Sequence, residues 1–324
     1  MAPIRPDNRM RVAVTGAAGR IGRVLLPELL HTPEVERIIA LDREPADFPG
    51  AATLPADRYD LRQKDLTQLT PEDLTGADTL VHLAFQLMGG HGGRRRHDRE
   101  WVRRQNVELS RSVFATAAQA GVRHVVFLSS AAVYGPWPDS PAPLDEDQPL
   151  RPRFPYAEDK VATEQALEAT DREHPELVTT VLRPPAVVGP HAHPLLQRIA
   201  RSRLHPAGID APVQILWEED AARAIAAAVT HRAPGCFNLG TEPVWSLRAM
   251  ARHDRHLTLP VPAGLIRRLH PLAWRLSARA GDPGWVRGLD GPLVLDCTRA
   301  RRELDWQPRV TTPECLERLR AGHR

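Results

Sequence analysis

Cysteine is scarce in this chain. Cys236, Cys297 and Cys315 are its only three, they lie far apart, and no C-x-x-C pair occurs. That excludes a disulfide framework and a zinc knuckle, and it fits a reducing cytoplasm. Long apolar runs are absent as well. Nothing approaches 18 consecutive apolar residues, so no membrane-spanning helix and no membrane partner are expected. The opening MAPIRPDNRM carries no apolar core of a signal peptide. Charge of one sign is also lacking: the net charge is +3. A nucleic-acid partner calls for a concentrated basic face, so none is expected. The densest basic cluster, Arg94-Arg95-Arg96 with His97, Arg99, Arg103 and Arg104, reads as a solvated loop and helix start. No G-x-S-x-G is present, which removes the hydrolase nucleophile elbow. His191 and His193 have no acidic third ligand at a metal spacing, so no metal is expected. No repeat period is visible.

What is present is an ordinary globular composition, 42% hydrophobic and 26% charged over 324 residues. That is enough chain for one large α/β unit or two lobes. Buried-strand patterns occupy 11–15, 35–41 (ending in Asp42), 78–84, 122–129 and 177–182, with a weaker one near 59–61. Helical spacing marks 20–31, 98–120 and 155–174. Strands separated by helix-length segments mean βαβ units and a doubly wound parallel sheet. After Pro190 the rhythm breaks. Short strands at 213–216 and 236–239, a helix over 218–231 and another around 265–280 suggest a smaller lobe. The expected division is a nucleotide-binding domain over 1–190, with returning segments at about 213–240, and a mostly smaller substrate lobe over 191–324. Trp274, Trp285, Leu265, Ile266, Leu269 and Leu272 are expected to pack that lobe, or else to line a pocket for an apolar substrate.

Residues 14–22 read VTGAAGRIG, with Gly16, Gly19 and Gly22 at every third position between a strand and a helix. A loop there, at the carboxyl end of a parallel strand, presents unpaired amides and the positive end of a helix dipole to a pyrophosphate. Glycine removes the Cβ that would hold the phosphate away. A plain turn would also use it. Asp42, 20 residues beyond Gly22, ends the second strand, where an acidic side chain meets the ribose hydroxyls. Its charge repels a 2′-phosphate and favours NAD. Arg43 beside it is able to pair with that phosphate, so NADP stays open.

Tyr156 and Lys160 lie four apart on a helix and so share one face. A nearby ammonium, together with a positively charged oxidised nicotinamide, is expected to lower the tyrosine pKa and fit it for proton exchange with a secondary alcohol or ketone. Ser129 and Ser130 follow the central strand, at the ligand edge of the sheet. One of them is expected to hold the substrate oxygen, the other to cap the strand end.

The ordered set of motifs resembles an extended short-chain dehydrogenase/reductase of the NAD-dependent epimerase/dehydratase type. The matching segments are 15–22 (TGAAGRIG), Asp42, Asp65-Leu66, 81–84 (VHLA), Asn106, 129–135 (SSAAVYG), 156–160 (YAEDK), 183–190 (RPPAVVGP), 237–240 (FNLG) and 296–306 (DCTRARRELDW). The resemblance implies a Rossmann-type α/β fold with a smaller C-terminal substrate lobe, and Ser130, Tyr156 and Lys160 as catalytic residues. It implies a cofactor held by Gly16, Gly19, Arg20, Ile21 and Gly22, with Asp42, Arg43, Asp65 and Leu66 at its adenosine half. Ala84, Asn106, Ser129, Tyr156, Lys160 and Pro184 would complete the cofactor site. It also implies a homodimer through the helices at 98–120 and 155–174. Relatives that act on nucleotide sugars usually carry Asn where this chain has Ala186, Arg where it has Val213 and His where it has Trp217. Ala186 and Trp217 are therefore the candidate substrate contacts, with Trp217 either packing the core or forming a flat wall of the substrate site, and a standard nucleotide sugar is not expected. The leading expectation is hydride transfer with NAD at a secondary alcohol or ketone of a small or medium metabolite. An epimerase or dehydratase with retained cofactor is the alternative, and a non-catalytic dinucleotide sensor the third.

Overall fold

The computed structural model describes residues 9–45, 55, 57–87, 98–193, 197, 204–253, 258–276 and 282–321. The cluster Arg94-Arg95-Arg96 lies outside them, as does the side chain of Trp285. The apolar runs form strands β1 (Met10–Thr15), β2 (Val35–Asp42), β3 (Tyr59–Gln63), β4 (Thr79–His82), β5 (His124–Leu128) and β6 (Val178–Arg183). After Pro190 the chain returns to this sheet once more among the described residues. Beyond the short strands β7 (Ala186–Val188), β8 (Leu204–Ala207), β9 (Pro212–Val213) and β10 (Ile215–Trp217), β11 (Gly235–Asn238) pairs with β6. The seven strands run parallel in the order β11-β6-β5-β4-β1-β2-β3. Strand order therefore reverses between β1 and β4, the place where such sheets open a ligand crevice at their carboxyl ends.

Both faces of the sheet are covered, which is why its central strands read as continuous apolar runs. Helix α1 (Gly22–His31) buries Leu25, Leu26 and Leu29 on one face. The segment expected as one helix over 98–120 is divided. It begins as α2 (Arg99–Arg103), capped by the Asp98 side chain on Trp101 N, continues as a π-helical turn (Arg104–Glu108), and resumes as α3 (Leu109–Gln119). Helix α3 packs Val113, Phe114 and Ala117 on the opposite face of the sheet, beside α4 (Pro155–Glu173). Helix α5 (Glu218–His231) joins α1 on the first face.

The remaining elements are β12 (Trp245–Ser246), α6 (Leu247–Arg252), β13 (Leu259–Pro262), α7 (Ala263–Leu276), α8 (Thr298–Glu303) and α9 (Thr312–Ala321). Helix α8 packs Ala300 into the core on the α1 face of the main sheet, together with Leu304 and Trp306 that follow it. Beside the main sheet, β7–β10, β9–β12 and β8–β13 form two-stranded pairs. Ile215, Trp217 and Met250 pack with Leu316 and Leu319 of α9 in one cluster. The leucines of α7 do not pack as expected. Leu265, Leu269 and Leu272 are about half exposed, and Trp274 is the buried residue of that helix. Among the described residues no helix is long and apolar enough to cross a membrane.

Candidate active site

A cavity of about 790 Å³ opens along the carboxyl ends of the sheet strands. At one end lies the glycine loop. Gly16 has φ +74°, and a Cβ there would meet Ala84 N at 2.6 Å. A Cβ on Gly22 would meet Ala17 O at 2.3 Å, and one on Gly19 would meet Gly16 O at 2.9 Å. These glycines thus let the loop fold against itself and against the residues after β4, while all three face the cavity. No side chain caps the start of α1; Arg23 N and Val24 N donate to the loop carbonyls Gly19 O and Ile21 O at 3.1 Å each. Asp42 braces the loop: its Oδ2 accepts Ala18 N at 2.9 Å and its Oδ1 accepts Glu44 N at 3.2 Å. Arg20 donates to Ala192 O at 2.9 Å and pins the loop to the chain beyond β7. Arg43, Leu66 and Asp65 complete this end. Asp65 caps a short turn through Thr67 N and Oγ1, and those hydrogen bonds hold its carboxyl below the usual carboxylate range.

At the centre α4 presents Tyr156 and Lys160. Pro155 is preorganised for the first helical position, which fixes where the turn begins. Tyr156 shares a hydrogen bond with Ser130, and Ser130 Oγ accepts Ala132 N at 3.2 Å. Lys160 Nζ donates to Leu128 O at 2.6 Å and lies 3.6 Å from the centre of the Phe85 ring. Phe85 meets Tyr156 edge-on at 5.6 Å, and Phe154 stacks on it at 6.2 Å. Burial pushes the Tyr156 phenol up to about 12, against the Ser130 hydrogen bond, and pushes Lys160 down to about 7, against Glu164 and Asp159. The expectation that Lys160 lowers the tyrosine is therefore corrected for the free protein. The ammonium is itself desolvated, lies 5.9 Å from the Tyr156 ring centre, and is spent on a carbonyl and two aromatic faces.

Behind these groups the support is polar and buried. Arg99 grips Asp159 with two hydrogen bonds of 2.7 Å, and Asn106 Nδ2 donates to the same carboxylate at 3.0 Å. Ser129 donates to Glu164, which pairs with Arg183 at 2.7 Å; Arg183 in turn donates to Tyr134 Oη at 2.8 Å. His82 links Thr15 Oγ1 at 2.7 Å to Ser110 Oγ at 2.8 Å. Burial, with Lys160 nearby, holds it neutral with a pKa of about 3.

The cavity brings together Gly16, Gly19, Arg20, Ile21, Gly22, Asp42 and Arg43 with Asp65, Leu66 and Ala84, and these with Ser129, Ser130, Tyr156, Lys160, Pro184 and Ala186. Two placements differ from expectation, those of Asn106 and Ser129, and that of Trp217 follows the core-packing alternative. Asn106 does not line it: fully buried, its side chain is committed to Gln86 and Asp159, so it positions α4 rather than touching a cofactor. Trp217 does not line it either, because its ring is sequestered among Ile215, Met250 and the α9 leucines. Ser129 does, yet its hydroxyl is taken by Glu164. Sequence reasoning missed Phe85, Phe154 and His205, which all line the cavity. Phe85 directly follows the VHLA strand end and Phe154 precedes the YAEDK helix, so position alone marks both.

The model of the NAD dependent epimerase/dehydratase family matches residues 12–240, from β1 through the β11 edge. The chain belongs to this family. A solved structure, MoeE5 in complex with UDP-glucose and NAD, is 26% identical, with a TM-score of 0.72 over 97% of this chain and 99% of that one. The UDP-glucose 4-epimerase of Mycolicibacterium smegmatis (strain ATCC 700084 / mc(2)155) is 28% identical, covering 94% of this chain and 96% of the relative. Uncharacterized protein Rv0501 of Mycobacterium tuberculosis (strain ATCC 25618 / H37Rv) is 29% identical, covering 94% and 82%. Like other members of the epimerase/dehydratase family, this chain is an enzyme.

Proposed function

We propose that this enzyme interconverts a secondary alcohol and a ketone with NAD. The observation that carries the reading is the placement of Ser130, Tyr156 and Lys160 together on the wall of a cavity whose far end is the glycine loop. The loop 16–22 fits a pyrophosphate, Asp42 the adenosine ribose, Asp65 and Leu66 the adenine, and Ala84 with Pro184 the nicotinamide half. When bound, the nicotinamide supplies an acceptor or donor for two electrons and a hydrogen. The residues handle the rest. Ser130 orients the substrate oxygen; Tyr156, as the phenolate that the positive charge of a bound oxidised nicotinamide would favour, takes the hydroxyl proton as the C–H bond is lost, and as the phenol returns it on reduction; Lys160 holds the tyrosine's surroundings. Asp42 favours NAD, and Arg43 leaves NADP as a weaker partner. In this reading the nucleotide-binding part covers 1–190 with the returning 213–240 segment, and the rest shapes the substrate. The edge pairing of β11 with β6 supports that division.

Tyr156→Phe is expected to lower turnover by about 100-fold or more while cofactor affinity changes little. Unchanged turnover with an identified substrate would sink the role. An epimerase or dehydratase cycle with retained cofactor is the second reading, favoured by the UDP-glucose 4-epimerase relative and the MoeE5 complex. Net accumulation of reduced nicotinamide, followed by its absorbance, supports the first; turnover without exchange of bound cofactor supports the second. Ala186 and Val213 line the cavity and offer no charge to a diphosphate, which favours a substrate other than a standard nucleotide sugar.

A further inference from the structure

We infer that the substrate is an uncharged alcohol or ketone carried on a long apolar body, with one further polar group held by His205. This rests on the oxidoreductase reading above. Beyond Tyr156 the cavity wall is made by Val213, Ile215, Leu247, Met250, Leu316 and Leu319. Ile215, Met250, Leu316 and Leu319 are buried in one packed cluster, so this wall is fixed rather than a collapsed surface. From residue 184 onward the described lining residues include no lysine or arginine.

From residue 184 onward three polar side chains line the cavity, His193, His205 and Gln214, and the last two lie beside this wall. Gln214 is already occupied: its Oε1 accepts Leu295 N at 2.8 Å and its Nε2 donates to Thr241 O at 3.4 Å. His205 differs. It is 7% exposed and lines the cavity, so its ring is the one unassigned polar surface of that wall; its Nδ1 is sealed from the opening and has no partner among the described residues. Beside it, Leu204 lines the same cavity yet is 55% exposed, and it pairs with Leu259, which is 57% exposed. The apolar lining thus continues to the outer surface and offers a route for a chain longer than the cavity.

The test is a series of 2-alkanones of about six to about twelve carbons, with and without a terminal hydroxyl, titrated into the protein loaded with NADH and assayed for reduction by the loss of NADH absorbance. Affinity and kcat/KM are expected to rise about three- to fourfold per added methylene until the wall is filled. A flat dependence on length, or tighter binding of UDP-glucose than of the longest ketone, overturns the inference. His205→Phe is expected to abolish the advantage of the hydroxylated members and to keep the length dependence; no change overturns the role of His205. Tyr156→Phe separates the two claims. Length-dependent binding that survives without turnover supports both claims, length-dependent binding with full turnover overturns the role of Tyr156 alone, length-dependent binding with no reduction by the parent overturns the oxidoreductase reading alone, and length-independent binding overturns the substrate class alone.

Discussion

Gly16 and Gly121 share a backbone conformation and differ in what surrounds them. Their φ values are +74° and +80°, but a Cβ at Gly16 meets the Ala84 amide at 2.6 Å whereas one at Gly121 meets nothing within 4 Å. Gly121→Ala should therefore cost only the left-handed strain, about 1 kcal/mol. Gly16→Ala should cost more and should also displace the residues after β4, weakening NAD binding. Urea denaturation and cofactor titration of both variants check this. The glycine spacing made the loop legible in the sequence. It did not show that backbone, rather than ligand, is the nearest neighbour of Gly16 and Gly22. Asp42 was equally legible from its place at a strand end. Replacing it by Ser removes the charge that repels a 2′-phosphate, and the ratio of NADP to NAD affinity should rise at least about tenfold in a direct binding comparison. His205 was not legible, because it falls in a stretch without periodicity, and only the folded chain brings it to the cavity.

Single elements were read well where local pattern decides them and less well where distant groups decide. The spacing of apolar residues over 98–120 predicts one helix. The π turn inside it follows from contacts that periodicity does not carry: the Asn106 carbonyl accepts both Ser110 Oγ, at 2.5 Å, and Thr163 Oγ1 of α4, at 3.4 Å. Trp217 illustrates the same limit. Its strand was evident, but whether the ring faces the cavity or the α9 cluster depends on a helix about 100 residues later. Between α4 and β6 the decisive contact is the buried Glu164–Arg183 pair, with both side chains under a tenth exposed. Glu164→Ala leaves the guanidinium uncompensated and also removes the acceptor of Ser129. A loss of about 3–5 kcal/mol is expected in chemical denaturation, much of it recovered when Arg183→Met is added.

Across the whole molecule, the parallel sheet and its crevice follow from the alternation of strand and helix patterns, and the sequence contained both. The fate of the α7 leucines was not readable there, since an amphipathic helix looks the same whether its apolar stripe is covered or left open. A property of the whole fold is its dependence on pH through Lys160. Burial lowers its pKa from 10.5 to about 7. Between those values the unfolded chain keeps a proton that the folded chain has released, so this group's contribution to stability grows as pH rises through the window and levels off below about 7. Tyr156, raised by burial to about 12, acts in the opposite sense only above its ordinary value of 10. Denaturation midpoints measured from pH 7 to pH 9.5, comparing the parent with Lys160→Met, should show the rise flattened in the variant.

Leu316 and Leu319, in the last described helix, complete the apolar wall, whereas the glycine loop belongs to the first strand-to-helix turn. A chain emerging from the ribosome therefore presents its dinucleotide cradle long before its substrate chamber can close. Fusion partners or deletions placed near α9 will disturb what the enzyme recognises while leaving its redox partner seated.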